Sequence, residues 1–251
     1  MQQKINYLLH LADSNLILSQ RNAEWCGHAP VLEQDIAITN ITLDLLGQAR
    51  LFYQYAASLI NLSTAQPVSE DSLAYLRTER EFKNLLLCEL PKGDWAVTVL
   101  RQFFYSSFAQ LQYTDLLKND DEQIRAIAEK SLKEISYHVR WSSEWVIRLG
   151  DGTAESHQRV ENALKELWPY TGEMFMPADF EKDNGINYEK LKQQWFAKVA
   201  SVLEEATLAP SPLESAVFMQ SGGKTGVHTE HLGFILSEMQ YLQRSYPGAD
   251  W

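Results

Sequence analysis

The sequence predicts an all-α fold, an antiparallel bundle of four core helices with additional helices around it. Two observations carry that prediction. Only 12 Gly and 8 Pro occur in 251 residues, and they gather between long stretches rather than inside them, which excludes collagen-like, low-complexity and turn-rich all-β chains. The stretches free of Pro and nearly free of Gly cover residues 3–26, 31–61, 70–90, 94–118, 121–149, 155–168, 187–206 and 229–246, and each is longer than an ordinary strand.

Taken in order, the second stretch follows Pro30, which suits a first-turn position. Its apolar residues Ile36, Ile38, Ile41, Leu43, Leu45, Leu46, Leu51 and Phe52 point round most of the circumference, the pattern of a central helix covered on several sides. Asp94 is placed to cap the start of the helix at 94–118, and Asp120 or Asp121 that of the next. Within 121–149, Ile124, Ile127, Ala128, Leu132, Ile135, Val139, Val146 and Leu149 recur at steps of three and four, so this is an amphipathic helix. Gly150-Asp151-Gly152 ends it. Residues 169–186 are the least regular, and a second loop is expected at 209–228 around Pro210, Pro212, Gly222, Gly223 and Gly226. Neither has the sustained composition of a linker, so one domain over 1–251 is expected.

Charge excludes some partners. Lys and Arg total 22 against 33 Asp and Glu, a net charge of −11, which repels phosphate backbones and anionic lipid. No stretch approaches the roughly 18 apolar residues of a membrane span. Asp13 and Asn15 interrupt any leader-like apolar run. A cytoplasmic protein with neither nucleic acid nor membrane as partner is expected. The two cysteines, Cys26 and Cys88, lack zinc spacing and read as buried free thiols.

Bundles of long helices can hold two metal ions through a Glu from each of two helices and a Glu-x-x-His from each of two others. Two places invite that test. Asp44-Leu45-Leu46-Gly47-Gln48 and Glu134-Ile135-Ser136-Tyr137-His138 each pair an acid with a polar residue four positions on. Three positions before Gln48 and His138, however, stand Leu45 and Ile135. Hydrocarbon binds no iron or manganese, and the Gln48 amide is a poor replacement for imidazole. Asn40, Asp44 and Gln48 form an i,i+4 polar stripe. With Glu134 and His138 they are expected to make a hydrogen-bonded core network, Glu134 serving His138 as acceptor from one turn away; a solvated face is the alternative.

The segment Leu18–Leu51, with Ser19-Gln20-Arg21, Glu24-Trp25-Cys26-Gly27-His28-Ala29-Pro30 and Leu43-Asp44-Leu45-Leu46-Gly47-Gln48-Ala49-Arg50, closely resembles the C subunits of bacterial phenylacetyl-CoA epoxidases. So do Gly222-Gly223-Lys224, His228-Thr229-Glu230-His231-Leu232-Gly233 and Glu238-Met239-Gln240-Tyr241-Leu242-Gln243-Arg244. The resemblance extends over essentially the whole chain. It implies a ferritin-like fold and membership of a multicomponent monooxygenase that forms the ring 1,2-epoxide of phenylacetyl-CoA. It further implies a homologous catalytic A subunit that carries the di-iron centre, a hetero-oligomer of the two, and no cofactor in the C subunit itself. Electrons would come from NADPH through a reductase subunit with flavin and an iron–sulfur cluster. Against the ligand pattern of the catalytic homologue, the matching positions here are Asn15, Leu45, Gln48, Ser106, Ile135 and His138. The resemblance therefore implies a supporting, non-catalytic role; an active metallo-oxidase using Asp44, Glu134 and His138, or a stand-alone acyl-CoA-binding module, are the rivals.

Gly222-Gly223-Lys224-Thr225 looks like the end of a phosphate-binding loop, but Phe218 stands where that loop needs its first glycine, and nucleotide hydrolysis is set aside. The glycine amides and the Lys224 cation remain a candidate contact for an anion or a partner carboxylate. His228 and His231 offer too few fixed ligands for a metal, so packing or surface roles are expected of them.

Overall fold

The computed structural model describes residues 1–182, 184–208 and 218–249. Among them all regular structure is helical. Two helical hairpins form the centre: α1 (Gln2–Ala23) with α2 (Leu32–Ile60), and α5 (Trp95–Leu116) with α6 (Glu122–Gly150). Cross-helix bonds fix their directions. Asp44 meets His138 and Gln48 meets Glu134, so rising numbers on α2 pair with falling numbers on α6. Asn22 with Gln102 and Asn15 with Tyr105 set α1 against α5 in the same antiparallel sense. This is the ferritin-like bundle.

The helix starts follow their capping residues. Asp94 accepts from the Val97 amide at 3.0 Å, and Asp121 from those of Gln123 and Ile124, each satisfying a donor that the first turn leaves free. Thr153 and Ser156 cap α7 (Ala154–Leu167) reciprocally, and Asn187 caps α8 (Tyr188–Glu205). These two outer helices are pinned to α5 by an aromatic cluster, in which Trp195 packs on Phe104, Trp168, Phe175 and Phe196 and its indole donates to the Phe104 carbonyl at 3.0 Å.

Three expectations need correction. The stretch 70–90 is not one helix but α3 (Glu70–Tyr75), a 3-10 turn at Glu79–Glu81, an extended run and α4 (Leu86–Glu89). No Gly or Pro marks the breaks. The backbone leaves the helix because distant side chains take its amides: Asp13 accepts from Lys83, Ser14 from Leu85 and Glu173 from Leu86. The stretch 229–246 likewise divides at Gln240 into α9 (Glu230–Met239) and α10 (Tyr241–Ser245). Cys26 is exposed, whereas Cys88 is buried as expected. The first half of the loop expected at 209–228 lies outside the described residues.

The helix expected to be central is also not the most covered one. From Tyr7 to Ser19 every residue of α1 is buried, and α5 is buried from Ala96 to Ala109. Along α2, by contrast, Leu32, Ile36 and Leu43 are 72%, 54% and 58% exposed. Ile38, Ile41, Leu45 and Phe52 face inward, so α2 has an apolar inner face and an apolar outer one.

Candidate functional site: the centre of the bundle

All six positions matched to metal ligands are buried, and the four core helices carry them. Leu45 and Ile135 are wholly enclosed hydrocarbon. A chain of neutral groups links the four core helices. The Tyr105 hydroxyl donates to Asn15 Oδ1 at 3.0 Å, and Asn15 Nδ2 donates to the Tyr113 hydroxyl at 2.9 Å. Tyr113 donates in turn to Gln48 Oε1 at 3.3 Å, and Gln48 Nε2 donates to Glu134 at 2.8 Å. One carboxylate thus ends a relay of two amides and two phenols. Burial pushes both phenols above the usual tyrosine range, so each keeps the proton that the relay needs. Ser106 belongs to a separate string, accepting from Gln102 Nε2 at 2.8 Å while Gln102 accepts from Asn22 at 2.8 Å.

His138 does not use Glu134. Its Nε2 lies 2.9 Å from Asp44 Oδ2 on the facing helix, because Glu134 is already turned to Gln48. The pair runs from the interior outward: the His138 side chain is fully buried and that of Asp44 is 35% exposed. His138 Nδ1 is buried without a hydrogen-bond partner. Asn40 is exposed on the outer face of α2 and stands outside the network expected to include it.

This donor set does not fit a di-iron centre. Of the six matched positions only His138 carries an imidazole, none carries a carboxylate, and the adjacent acids Asp44 and Glu134 are engaged with His138 and Gln48. Among the described residues no group of three or more His, Cys, Asp and Glu is placed to hold a metal ion. Iron that must bind and activate oxygen needs several anionic oxygens and imidazoles together. This interior offers amides, hydroxyls and hydrocarbon.

A second polar region lies on the flank of the bundle, under the segment after residue 218. The anion contact expected at Lys224 is turned inward. Lys224 is buried and its ammonium lies 2.8 Å from Glu181, with His10 on the far side of that carboxylate at 3.7 Å. Burial alone would raise the Glu181 carboxyl, but the facing His10 and the Lys224 ammonium hold it below its usual value. The Gly222 amide donates to Glu173 at 2.8 Å, so an internal carboxylate already occupies the cradle. Gly223 packs directly on the Asn84 carbonyl, where a Cβ would collide.

Beside it, Asp13 accepts from Arg77, from the Tyr53 hydroxyl and from the Lys83 amide. Glu89 receives His228 at 2.8 Å and Asn84 at 2.7 Å, with the Thr229 amide at 2.6 Å. The His228 imidazole is thus enclosed between the Glu89 carboxylate and the Phe82 carbonyl rather than set on the surface. Asp13, Arg77, Glu89 and Glu181 were not legible as a cluster, since their partners lie up to 140 residues away in the chain.

A protein-family model described as "Phenylacetic acid catabolic protein" matches residues 1–251. The chain is 46% identical, over an alignment of 256 positions that covers the whole of both sequences, to the C subunit of the 1,2-phenylacetyl-CoA epoxidase of Escherichia coli (strain K12). No described helix is long and apolar enough to cross a membrane. Matched from end to end, with the bundle that its resemblance implied, the chain belongs to the phenylacetic acid catabolic protein family.

Proposed function

We propose that this chain is a non-catalytic structural subunit of a multicomponent phenylacetyl-CoA 1,2-epoxidase, binding and stabilising the homologous catalytic A subunit with its di-iron centre in phenylacetate catabolism. The observation that carries this reading is the interior of the bundle: Leu45 and Ile135 stand where oxygen activation needs carboxylates, and the surrounding amides and phenols are closed on one another. Such an interior holds four helices in register. It has no group to bind oxygen or to take electrons, so NADPH, flavin, iron–sulfur cluster and di-iron centre belong to other subunits on this reading. Free thiols at Cys26 and Cys88 suit a reducing cytoplasm.

The outer face of α2 supports the binding half of the proposal. Leu32, Ile36 and Leu43 form an exposed i,i+4 and i,i+7 stripe, and Gly47 continues it one turn on, with nothing within 4 Å of the place its Cβ would take. A glycine in mid-helix costs about 1 kcal/mol relative to alanine. No neighbour among the described residues explains that cost, whereas a partner's helix crossing close at Gly47 does. An obligate contact of this kind buries on the order of 2,000 Å² or more.

Co-expression with the catalytic homologue, followed by iron analysis and turnover of phenylacetyl-CoA for each fraction, tests the proposal. The expected result is a stable complex whose iron and activity follow the partner, with neither in the isolated chain. Stoichiometric iron and turnover in this chain alone would establish the metallo-oxidase reading instead, and tight acyl-CoA binding without a partner the binding-module reading.

A further inference from the structure

The segment Gly222–Gln240 crosses the flank of the bundle and is anchored on it at successive points. The Gly222 amide bonds Glu173, Lys224 pairs with Glu181, and Gln240 Nε2 donates to the carbonyls of Ala74 and Arg77 at 3.2 and 3.0 Å. Gly226, at φ 81°, lies against the Arg80 carbonyl so closely that no side chain fits. At the middle of the segment sits His228, whose imidazole has no exposed surface.

Both ring nitrogens of His228 face acceptors. Nδ1 is 2.8 Å from the Glu89 carboxylate and Nε2 is 3.0 Å from the Phe82 carbonyl. A carbonyl oxygen only accepts. The Glu89 carboxylate already receives the Asn84 side chain and the Thr229 amide, an arrangement that suits its ionised form. Two donors are therefore required of one ring, and imidazole has two N–H groups only as the cation. Burial works against that charge, but the hydrogen bond and charge of Glu89 outweigh it and raise the pKa of His228 above its ordinary value.

We infer that Gly222–Gln240 is a pH-dependent strap, closed over α4 and the extended run before it by the protonated His228 and loosened when that single proton leaves. Loss of the proton leaves one ring nitrogen facing an acceptor with no hydrogen between them, and strips the buried Glu89 of its cation. The other charged groups around the seat do not replace it. Asp13 on α1 is held by Arg77, while Arg21 on α1 donates to the backbone carbonyl of Glu89 rather than to its carboxylate. Lys83 lies over the Phe180 ring. Lys224 on the strap is committed to Glu181 beside His10, and Glu173 to backbone amides. Because the folded state raises the pKa, the stabilisation is complete below the unfolded value of 6.5 and is lost as pH rises through the folded one.

Hydrogen–deuterium exchange of the full chain, read by mass spectrometry and corrected for the intrinsic pH dependence of exchange, tests this. Protection of peptides within Gly222–Gln240 is expected to fall by up to about tenfold per pH unit above the His228 titration, while peptides of α5 keep theirs. In His228→Asn the strap peptides should be weakly protected at every pH. Unchanged protection in the wild type across that range, or the same slope in His228→Asn, would overturn the inference. Should the variant not fold, nitrogen NMR of the wild-type ring decides: both nitrogens protonated at neutral pH are expected, and a neutral ring would overturn it.

Discussion

The two polar regions of this molecule solve the same problem in opposite ways. At the centre of the bundle the relay through Asn15, Tyr105, Tyr113 and Gln48 is uncharged, ending on Glu134. On the flank, three of four buried carboxylates each have a cation: Asp13 has Arg77, Glu89 has His228 and Glu181 has Lys224, while Glu173 is held by backbone amides and burial raises its carboxyl. A carboxylate in a dry interior is tolerable only with a counter-charge and several donors. Where a metal would supply that charge, a bundle can hold several acids together; the centre here has amides and hydrocarbon instead. The flank has its cations built into the chain, and uses them to tie segments that are distant in sequence. Arg101 stands apart from this rule. It is buried on α5 with the carbonyls of Leu90 and Pro91 as acceptors, and burial pushes it down to about 10.

The contrast predicts unequal costs. Arg77→Met removes the cation from Asp13 and leaves a buried charge, so unfolding free energy should fall by about 3–5 kcal/mol. The double variant Asp13→Asn, Arg77→Met should recover much of that loss, since neither charge then remains. Tyr113→Phe takes one hydroxyl from the neutral relay and leaves the amides of Asn15 and Gln48 each short of a partner; it should cost about 1–3 kcal/mol. Urea denaturation of the three variants measures all of this on one scale. Equal losses for Arg77→Met and Tyr113→Phe would erase the distinction between the two regions.

The two regions also differ in how far they can be read from sequence. The bundle is legible because helical periodicity is local, and Leu45, Gln48, Ile135 and His138 sit at fixed steps within two long helices. Even there the pairing is not: Asp44 and Glu134 are both one turn from a polar neighbour on their own helix, yet each bonds across to the other helix. The flank is illegible for a plainer reason. Glu89 and His228 are 139 residues apart, and nothing in the sequence near either announces the other. The stretch 70–90 reads as one helix because the groups that break it, Asp13, Ser14 and Glu173, lie elsewhere in the chain. Lys224 reads as a free cation because a glycine-flanked lysine on a loop looks exposed until Glu181 is placed beneath it.

The same ambiguity governs α2, where hydrophobicity all round reads as burial within the chain. A helix covered by its own fold and one covered by a partner have the same pattern in sequence. Gly47 separates them by sign. Among the described residues, Gly47→Ala meets no neighbour and removes backbone freedom from the unfolded state, so the isolated protein should gain about 0.5–1 kcal/mol and melt higher. If a partner helix crosses at that point, the added methyl must push the two backbones apart, and co-purification with the catalytic homologue should weaken as the isolated chain becomes more stable. Thermal unfolding of the chain and its yield in the complex give the two halves of the measurement. A more stable variant that assembles as well as the wild type would show that the outer face of α2 is not where the partner docks.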